Sequence, residues 1–160
     1  MIVALGSNRP GDHPSSEALL DAAVSRFPEA GLPVLARSRW WSSAAWPDPK
    51  GDEYRNGVAI VEANGPPIGV LEALFAIERS FGRIRTTPNA PRTLDLDLIA
   101  YGRQVLDGPG LMLPHPRAHE RLFVMGPLAE IAPEWRHPVL DETAAELARK
   151  ASVGADAEPV

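Results

Sequence analysis

The apolar residues 2–5 run without interruption into Gly6-Ser7-Asn8, a pattern that predicts a short buried strand ending in a turn. Over residues 15–27 the period changes. Ala18, Leu19, Ala22, Ala23 and Val24 recur at helical spacing, Ser15 or Ser16 can cap the start, and Pro28 stops the helix. Residues 34–42 and 55–63 predict two more strands, the second carrying Val58, Ile60 and Ala63 before a turn at Asn64-Gly65. Pro66 and Pro67 stand where a second helix begins, and Ile68, Leu71, Leu74, Phe75 and Ile77 give it an apolar stripe that ends near Gly82. Residues 93–101 alternate as a fourth strand.

The order strand, helix, strand, strand, helix, strand predicts an α+β fold, the ferredoxin-like βαββαβ sandwich with an antiparallel sheet and both helices on one face. Residues 117–130 and 141–150 predict additional C-terminal helices. Residues 152–160 have too little apolar content to predict more than a frayed tail, so 1–151 is expected to form a single domain.

Composition narrows the function. The 160 residues, 44% hydrophobic, suffice for one well-buried core. With no cysteine, disulfides, thiolate metal sites and cysteine nucleophiles are excluded. A net charge of −5 argues against a general nucleic-acid partner, so any bound anion must meet local positive charge. No signal peptide is visible and no run approaches the roughly 18 apolar residues of a membrane span, so a cytoplasmic protein with no membrane partner is expected. The 17 prolines and 13 glycines cluster at 8–14, 46–51, 64–69, 86–91 and 107–116, which predicts substantial loops there.

Chemistry concentrates in Arg92-Thr-Leu-Asp-Leu-Asp-Leu-Ile-Ala100. Alternation on a strand turns Leu94, Leu96 and Leu98 to the core and puts Asp95 and Asp97 together on the opposite face, about 7 Å apart. At an effective dielectric of about 20 the two charges repel by roughly 2 kcal/mol, a cost that a cation removes. Two hard oxygen ligands, with the other positions left to water and phosphate, describe a magnesium site. Alone, the pair is equally compatible with a solvated sheet face.

Arg83, Arg85 and Arg92 bracket the loop that feeds this strand, and Pro114-His-Pro-Arg-Ala-His-Glu-Arg121 adds two histidines and two arginines. Guanidinium forks suit phosphate oxygens. Either cluster alone could be a solvated loop; together they surround an acidic pair with positive charge, as a polyphosphate site requires. The prolines flanking His115 forbid a regular helix that would set it with His119 as metal ligands, so His115 is expected as a phosphate donor. Gly6-Ser7-Asn8-x-x-Gly11 lacks the lysine and hydroxyl of a P-loop and reads as a structural turn. Of Trp40 and Trp41, alternation turns one inward. Trp46 and Tyr54 could stack on a flat heterocycle or anchor loops.

These residues resemble the 6-hydroxymethyl-7,8-dihydropterin pyrophosphokinase family over nearly the whole chain. The resemblance rests on Ala4-Leu-Gly-Ser-Asn8, Tyr54-Arg-Asn56, Ile77-Glu78 with Gly82-Arg-Ile-Arg85, Pro91-Arg-Thr-Leu-Asp-Leu-Asp97, Pro114-His-Pro116, and Arg121-x-Phe-Val-x-x-Pro-Leu128. It implies the ferredoxin-like fold and direct transfer of pyrophosphate from ATP to the hydroxymethyl group of the reduced pterin, releasing AMP, in folate biosynthesis. It implies that Asp95 and Asp97 bind two Mg2+ ions, that Arg83, Arg92, His115 and Arg121 contact phosphate, and that Glu78 helps place the nucleotide. Tyr54 and Phe123 would sandwich the pterin, with Asn56 and the backbone of Ser43, Ala44 and Trp46 reading its polar edge beside Asp95. Asp97 would orient or deprotonate the hydroxyl. A monomer is expected.

Three departures stand out. Residues 85–91 lack the Arg-Trp pair of many relatives, a gap Trp46 could fill; Gly110 replaces a basic residue; and Ser43-Ala44 replaces Thr-Pro. The rival readings are a catalytically impaired relative that binds ATP or pterin, against which both aspartates are retained, and an RNA-recognition module sharing the element order, which the acidic charge opposes.

Overall fold

The computed structural model describes residues 1–45, 48–62, 64–83 and 93–160. The chain runs β1 (Ile2–Ser7), α1 (Ser16–Ser25), β2 (Val34–Arg37), β3 (Trp41–Ser43), β4 (Tyr54–Val61), α2 (Pro67–Ser80), β5 (Asp95–Ala100), β6 (Leu106–Gly108), β7 (Leu111–Leu113), α3 (Leu122–Ile131), α4 (Ala144–Lys150) and β8 (Glu158–Pro159). The main sheet has the order β5-β1-β4-β3-β8, with β2 also paired to β4, and every pairing is antiparallel. This is the ferredoxin-like plan.

Ser15 caps α1 by accepting the Ala18 N–H at 3.1 Å, and the helix buries Leu19, Leu20 and Ala23. Helix α2 begins on Pro67 and buries Val70, Leu74 and Ile77. Both helices pack on the sheet face that carries Val3, Leu5, Ala59, Val61, Leu96 and Leu98. The other face is covered in part by α3 and α4, whose Val124, Met125, Leu128 and Leu147 meet Ile2, Val58 and Ile99. A Thr143–Glu146 capping box starts α4. Among the described residues no helix is long and apolar enough to cross a membrane.

The single strand expected over 34–42 is two strands. Ser38, 2% exposed, donates its hydroxyl to Arg39 O at 2.7 Å and accepts the Val58 N–H at 3.0 Å, substituting a side chain for a ladder bond. Between Arg37↔Ala59 and Trp41↔Asn56 the chain takes four steps to three on β4, a bulge that kinks it. The kink lets both tryptophans find cover. Trp40 joins the core beneath α1 and donates its indole N–H to Asp21 at 3.2 Å, while Trp41 lies against Gly126 of α3 and donates to Glu130 at 3.0 Å.

The segment 152–160, expected to fray, returns to the body. β8 pairs with β3, Val153 bridges to Arg121, and Ala157 is buried. Backbone pairing holds it where apolar content does not. Within the loop expected at 107–116, β6 and β7 form a hairpin turned by Gly110 at φ 88°. The helix expected over 117–130 is a short 3-10 turn, Ala118–Glu120, followed by α3.

Candidate active site

Sheet register brings the site together. Asp95 pairs with Gly6 and Asp97 with Ala4 on β1, and Gly6 in turn pairs with Asn56 on β4, which pairs with Trp41 on β3. Directly paired residues share a face, so the two aspartates and Asn56 lie on the side bearing α3 and α4, beyond the part those helices cover. Opposite the aspartates stand only Ala4 and Gly6, which leaves the sheet open there. The result is a cavity of about 640 Å³ lined by Tyr54, Asn56, Asp95, Asp97, Arg121 and Phe123 among others. Its size is that of a small-molecule site.

Each wall has a distinct chemistry. On one side Asp95 and Asp97 are part-exposed while Leu94, Leu96 and Leu98 beneath them are buried, as alternation requires. Across from them, Tyr54 at the start of β4 and Phe123 in the first turn of α3 supply two aromatic rings. Ser43 and Ala44 close the far side. Asn56, 7% exposed, donates from Nδ2 to the Ser43 hydroxyl at 2.9 Å, which fixes the orientation of its amide. Positive charge comes from Arg117 and Arg121, the latter with its guanidinium 5.8 Å from the Phe123 ring centre.

Three of the residues expected to meet ligands bond to groups of the protein. Arg83, expected to grip phosphate, has a side chain only 10% exposed; its Nη1 donates to the Asp95 carboxylate and to Leu94 O at 2.8 Å, with Glu78 at 3.4 Å. It braces the first aspartate from below. Glu78, expected to help place the nucleotide, is 1% exposed, and its Oε1 accepts the Leu96 N–H at 2.8 Å. It lies one helical turn after Leu74, on the buried stripe of α2, which brings its carboxylate to the Leu96 N–H and Arg83. Ala44, expected to read the pterin edge through its backbone, donates its N–H to Asp156 Oδ2 at 2.5 Å. Trp46 and Arg92 lie outside the described residues, as does the loop over 85–91.

His115 is not among the described lining residues but feels the charges of Asp95, Arg117 and Arg121, which are, and its backbone N–H is tied to Ile99 O at 2.8 Å. Burial, and then the nearby charge of Arg121, push its pKa down to about 4. Its Nδ1 accepts the Arg117 N–H at 3.2 Å, so the neutral ring carries its proton on Nε2 and can donate there. Sequence reasoning counted Arg117 among the basic residues without assigning it to the site, and it missed Val153, which also lines the cavity. The signal for Arg117 was its place two residues after His115. For Val153 there was none, since the contact depends on the return of residues 152–160.

Two carboxylates in a cavity whose described lining residues include no histidine or methionine suit a hard divalent cation that keeps waters and takes phosphate oxygens. Among the described residues no group of three or more His, Asp or Glu side chains could hold a metal by itself. The donor set therefore fits magnesium arriving with a polyphosphate better than a closed protein-ligand metal site.

Comparison with known proteins gives the family and supports the fold. The family model described as 7,8-dihydro-6-hydroxymethylpterin-pyrophosphokinase matches residues 2–133. A 2-amino-4-hydroxy-6-hydroxymethyldihydropteridine pyrophosphokinase from Synechocystis sp. is 41% identical over 146 residues, covering 91% of this chain and 73% of that one. Its counterpart from Pseudomonas aeruginosa is 44% identical over 140 residues, covering 85% and 82%. Among solved structures, an HPPK-DHPS in complex with substrates superposes with a TM-score of 0.68 at 10% identity, covering 92% of this chain and 42% of that one. The Plasmodium falciparum HPPK-DHPS gives 0.62 at 13% identity, covering 93% and 40%. The chain thus spans less than half of either solved chain, and at those identities the likeness speaks to the fold. With the family match running from β1 through α3 and close relatives aligned over most of their length, this chain belongs to the 7,8-dihydro-6-hydroxymethylpterin-pyrophosphokinase family.

Proposed function

We infer that this chain is an ATP-dependent pyrophosphokinase that transfers pyrophosphate to the hydroxymethyl group of 6-hydroxymethyl-7,8-dihydropterin, releasing AMP, a step of folate biosynthesis. The observation that carries the reading is the sharing of one cavity by the Asp95–Asp97 pair, the Tyr54 and Phe123 rings and the Arg117 and Arg121 guanidiniums. A flat heterocycle and a polyphosphate can meet only where such walls face each other.

In the mechanism, the pterin ring lies between Tyr54 and Phe123, whose faces exclude water from both sides of it. Asn56, fixed by Ser43, reads the polar edge through a preset amide, and Asp95 borders the same edge. Asp95 and Asp97 would hold Mg2+, two ions in this reading, which when bound supply charge neutralisation to the triphosphate. Arg121, with Arg117 and Arg92, grips phosphate oxygens, and neutral His115 adds a hydrogen bond from Nε2. The pterin hydroxymethyl oxygen attacks the β phosphorus while the bond from that phosphorus to the AMP oxygen breaks; Asp97 orients the hydroxyl and takes its proton. Most of the rate comes from positioning and fixed charge. Arg83 and Glu78 serve it indirectly, by holding the strand that carries both aspartates.

A monomeric catalytic unit is proposed, and the need for ATP supports a cytoplasmic place of action. The direct test is AMP release from ATP with magnesium, with and without the hydroxymethylpterin. AMP formed only in its presence, together with the pterin diphosphate, is the expected result; a pure, folded preparation that forms none would reduce the protein to a binding module.

A further inference from the structure

The segment 153–160 touches both sides of the pterin wall. At one end Val153 pairs with Arg121 and accepts the Leu122 N–H at 2.9 Å, and Gly154, at φ +66°, lies so close to the Phe123 ring that a Cβ would overlap it. At the other end β8 pairs with β3 through Ser42↔Glu158 and Trp41↔Pro159, and the Val160 N–H meets Trp40 O at 3.0 Å. Between them Asp156 Oδ2 takes the Ala44 N–H at 2.5 Å, a bond across 112 residues of sequence.

We propose that this segment is a strap that sets the shape of the pterin subsite, with Asp156 as a positioning residue and Gly154 as the seat of the Phe123 ring. The proposal rests on the pterin assignment above. The peptide joining Ser43 to Ala44 is planar and trans, so its N–H and C=O point opposite ways. Once the N–H is committed to a carboxylate, a strong charge-assisted bond, the direction of the Ser43 carbonyl is fixed. The Ser43 hydroxyl meanwhile receives the Asn56 amide, so the state of this one peptide reaches the group that reads the heterocycle. The Phe123 ring lies against the Gly154 backbone, an approach that a glycine permits because any Cβ there would overlap the ring. Asp156 and Gly154 act on Ala44 and Phe123 of the pterin wall, while the strap meets Arg121 through the Val153 backbone, so its effect falls on pterin affinity more than on ATP.

The test compares Asp156→Ala, Asp156→Asn and Gly154→Ala with the unaltered chain in steady-state kinetics, varying pterin and ATP separately, with melting temperatures measured alongside. Asp156→Ala is expected to raise the pterin KM about tenfold, the loss of one strong hydrogen bond, with the ATP KM and kcat changed less than about twofold. Asp156→Asn keeps an acceptor oxygen and is expected to restore the pterin KM to near its original value. Gly154→Ala, which leaves Asp156 in place, is expected to raise the same constant alone, and it decides the matter should Asp156→Ala not fold. A pterin KM unmoved in the folded variants, or pterin and ATP constants moving together with a lowered melting temperature, overturns the strap while the activity stands. No pterin-dependent AMP from the unaltered chain overturns the activity itself and the strap with it.

Discussion

The Glu78 carboxylate accepts the Leu96 N–H at 2.8 Å, and Leu96 is the residue between Asp95 and Asp97. Strand β5 ends the sheet order, so an outward N–H there has no neighbouring strand to bond, and a buried side chain takes that place. The same carboxylate lies 3.4 Å from the Arg83 nitrogen that binds Asp95. One acid from α2 thus steadies both the backbone and the side chain of the proposed metal wall.

Replacing Glu78 by Ala removes the acceptor of the buried Leu96 N–H while Arg83 keeps Asp95 and Leu94 O, and a loss of about 1–3 kcal/mol in unfolding free energy is expected. Glu78→Gln keeps an acceptor for Leu96 and is expected to lose less. Urea denaturation of the two variants checks both the size and the order of the effects.

Asp97→Ala is expected to abolish pterin-dependent AMP formation almost completely while leaving the circular dichroism spectrum unchanged, because Asp97 is part-exposed on the cavity side and the leucines below it carry the packing. Magnesium should raise the melting temperature of the unaltered chain in the presence of ATP, by relieving repulsion between the two aspartates and by binding only the folded form. An unchanged rate in Asp97→Ala would remove that residue from the mechanism.

The pH dependence has a definite sign. The pKa of His115 is lowered from 6.5 to about 4, chiefly by burial, and that of His137 is also lowered. Between those values the unfolded chain binds more protons than the folded one, so stability rises with pH and is lost on acidification from 6.5 toward about 4. The denaturation midpoint should therefore fall between about pH 7 and about pH 5. His115→Gln should flatten that fall, and an equal slope in both proteins would exclude His115 as a source.

Two glycines are required by tryptophan rings rather than by backbone angle. A Cβ on Gly57 would come within 2.5 Å of Trp40, and one on Gly126 within 2.5 Å of Trp41. Gly57→Ala and Gly126→Ala are each expected to cost about 1–3 kcal/mol of stability through overpacking, despite the better intrinsic propensity of alanine in the helix. Thermal melts of the two variants are the check.

The features legible in the sequence are those that a period can encode. Leu94, Asp95, Leu96 and Asp97 alternate, and the structure sets them on alternate faces; the stripes of α1 and α2 likewise face the sheet they bury. What escaped had no periodic signal. The kink at Ser38 depends on one hydroxyl replacing a ladder bond. The return of residues 152–160 depends on backbone pairing to β3 and on a single aspartate, neither of which raises local hydrophobicity. The inward turn of Glu78 was half legible, since its spacing from Leu74 puts it on the apolar stripe, yet a carboxylate there reads as a surface charge until its partners on β5 and at Arg83 are known. The pterin roles proposed for Asn56 and Phe123 come from the resemblance, and for Tyr54 the residues by themselves left ring stacking and a loop anchor both open.

The two adjacent tryptophans also make the molecule report on itself. Trp40 is packed in the layer under α1 and Trp41 in the layer under α3, so a single peptide bond joins chromophores that sense opposite sides of the sheet. In a background with Trp46 and Trp135 replaced by phenylalanine, substituting either Trp40 or Trp41 likewise would leave intrinsic fluorescence weighted to one layer. Superimposable melting curves from the two variants would mean that the outer helices and the ferredoxin-like half come apart as one cooperative unit.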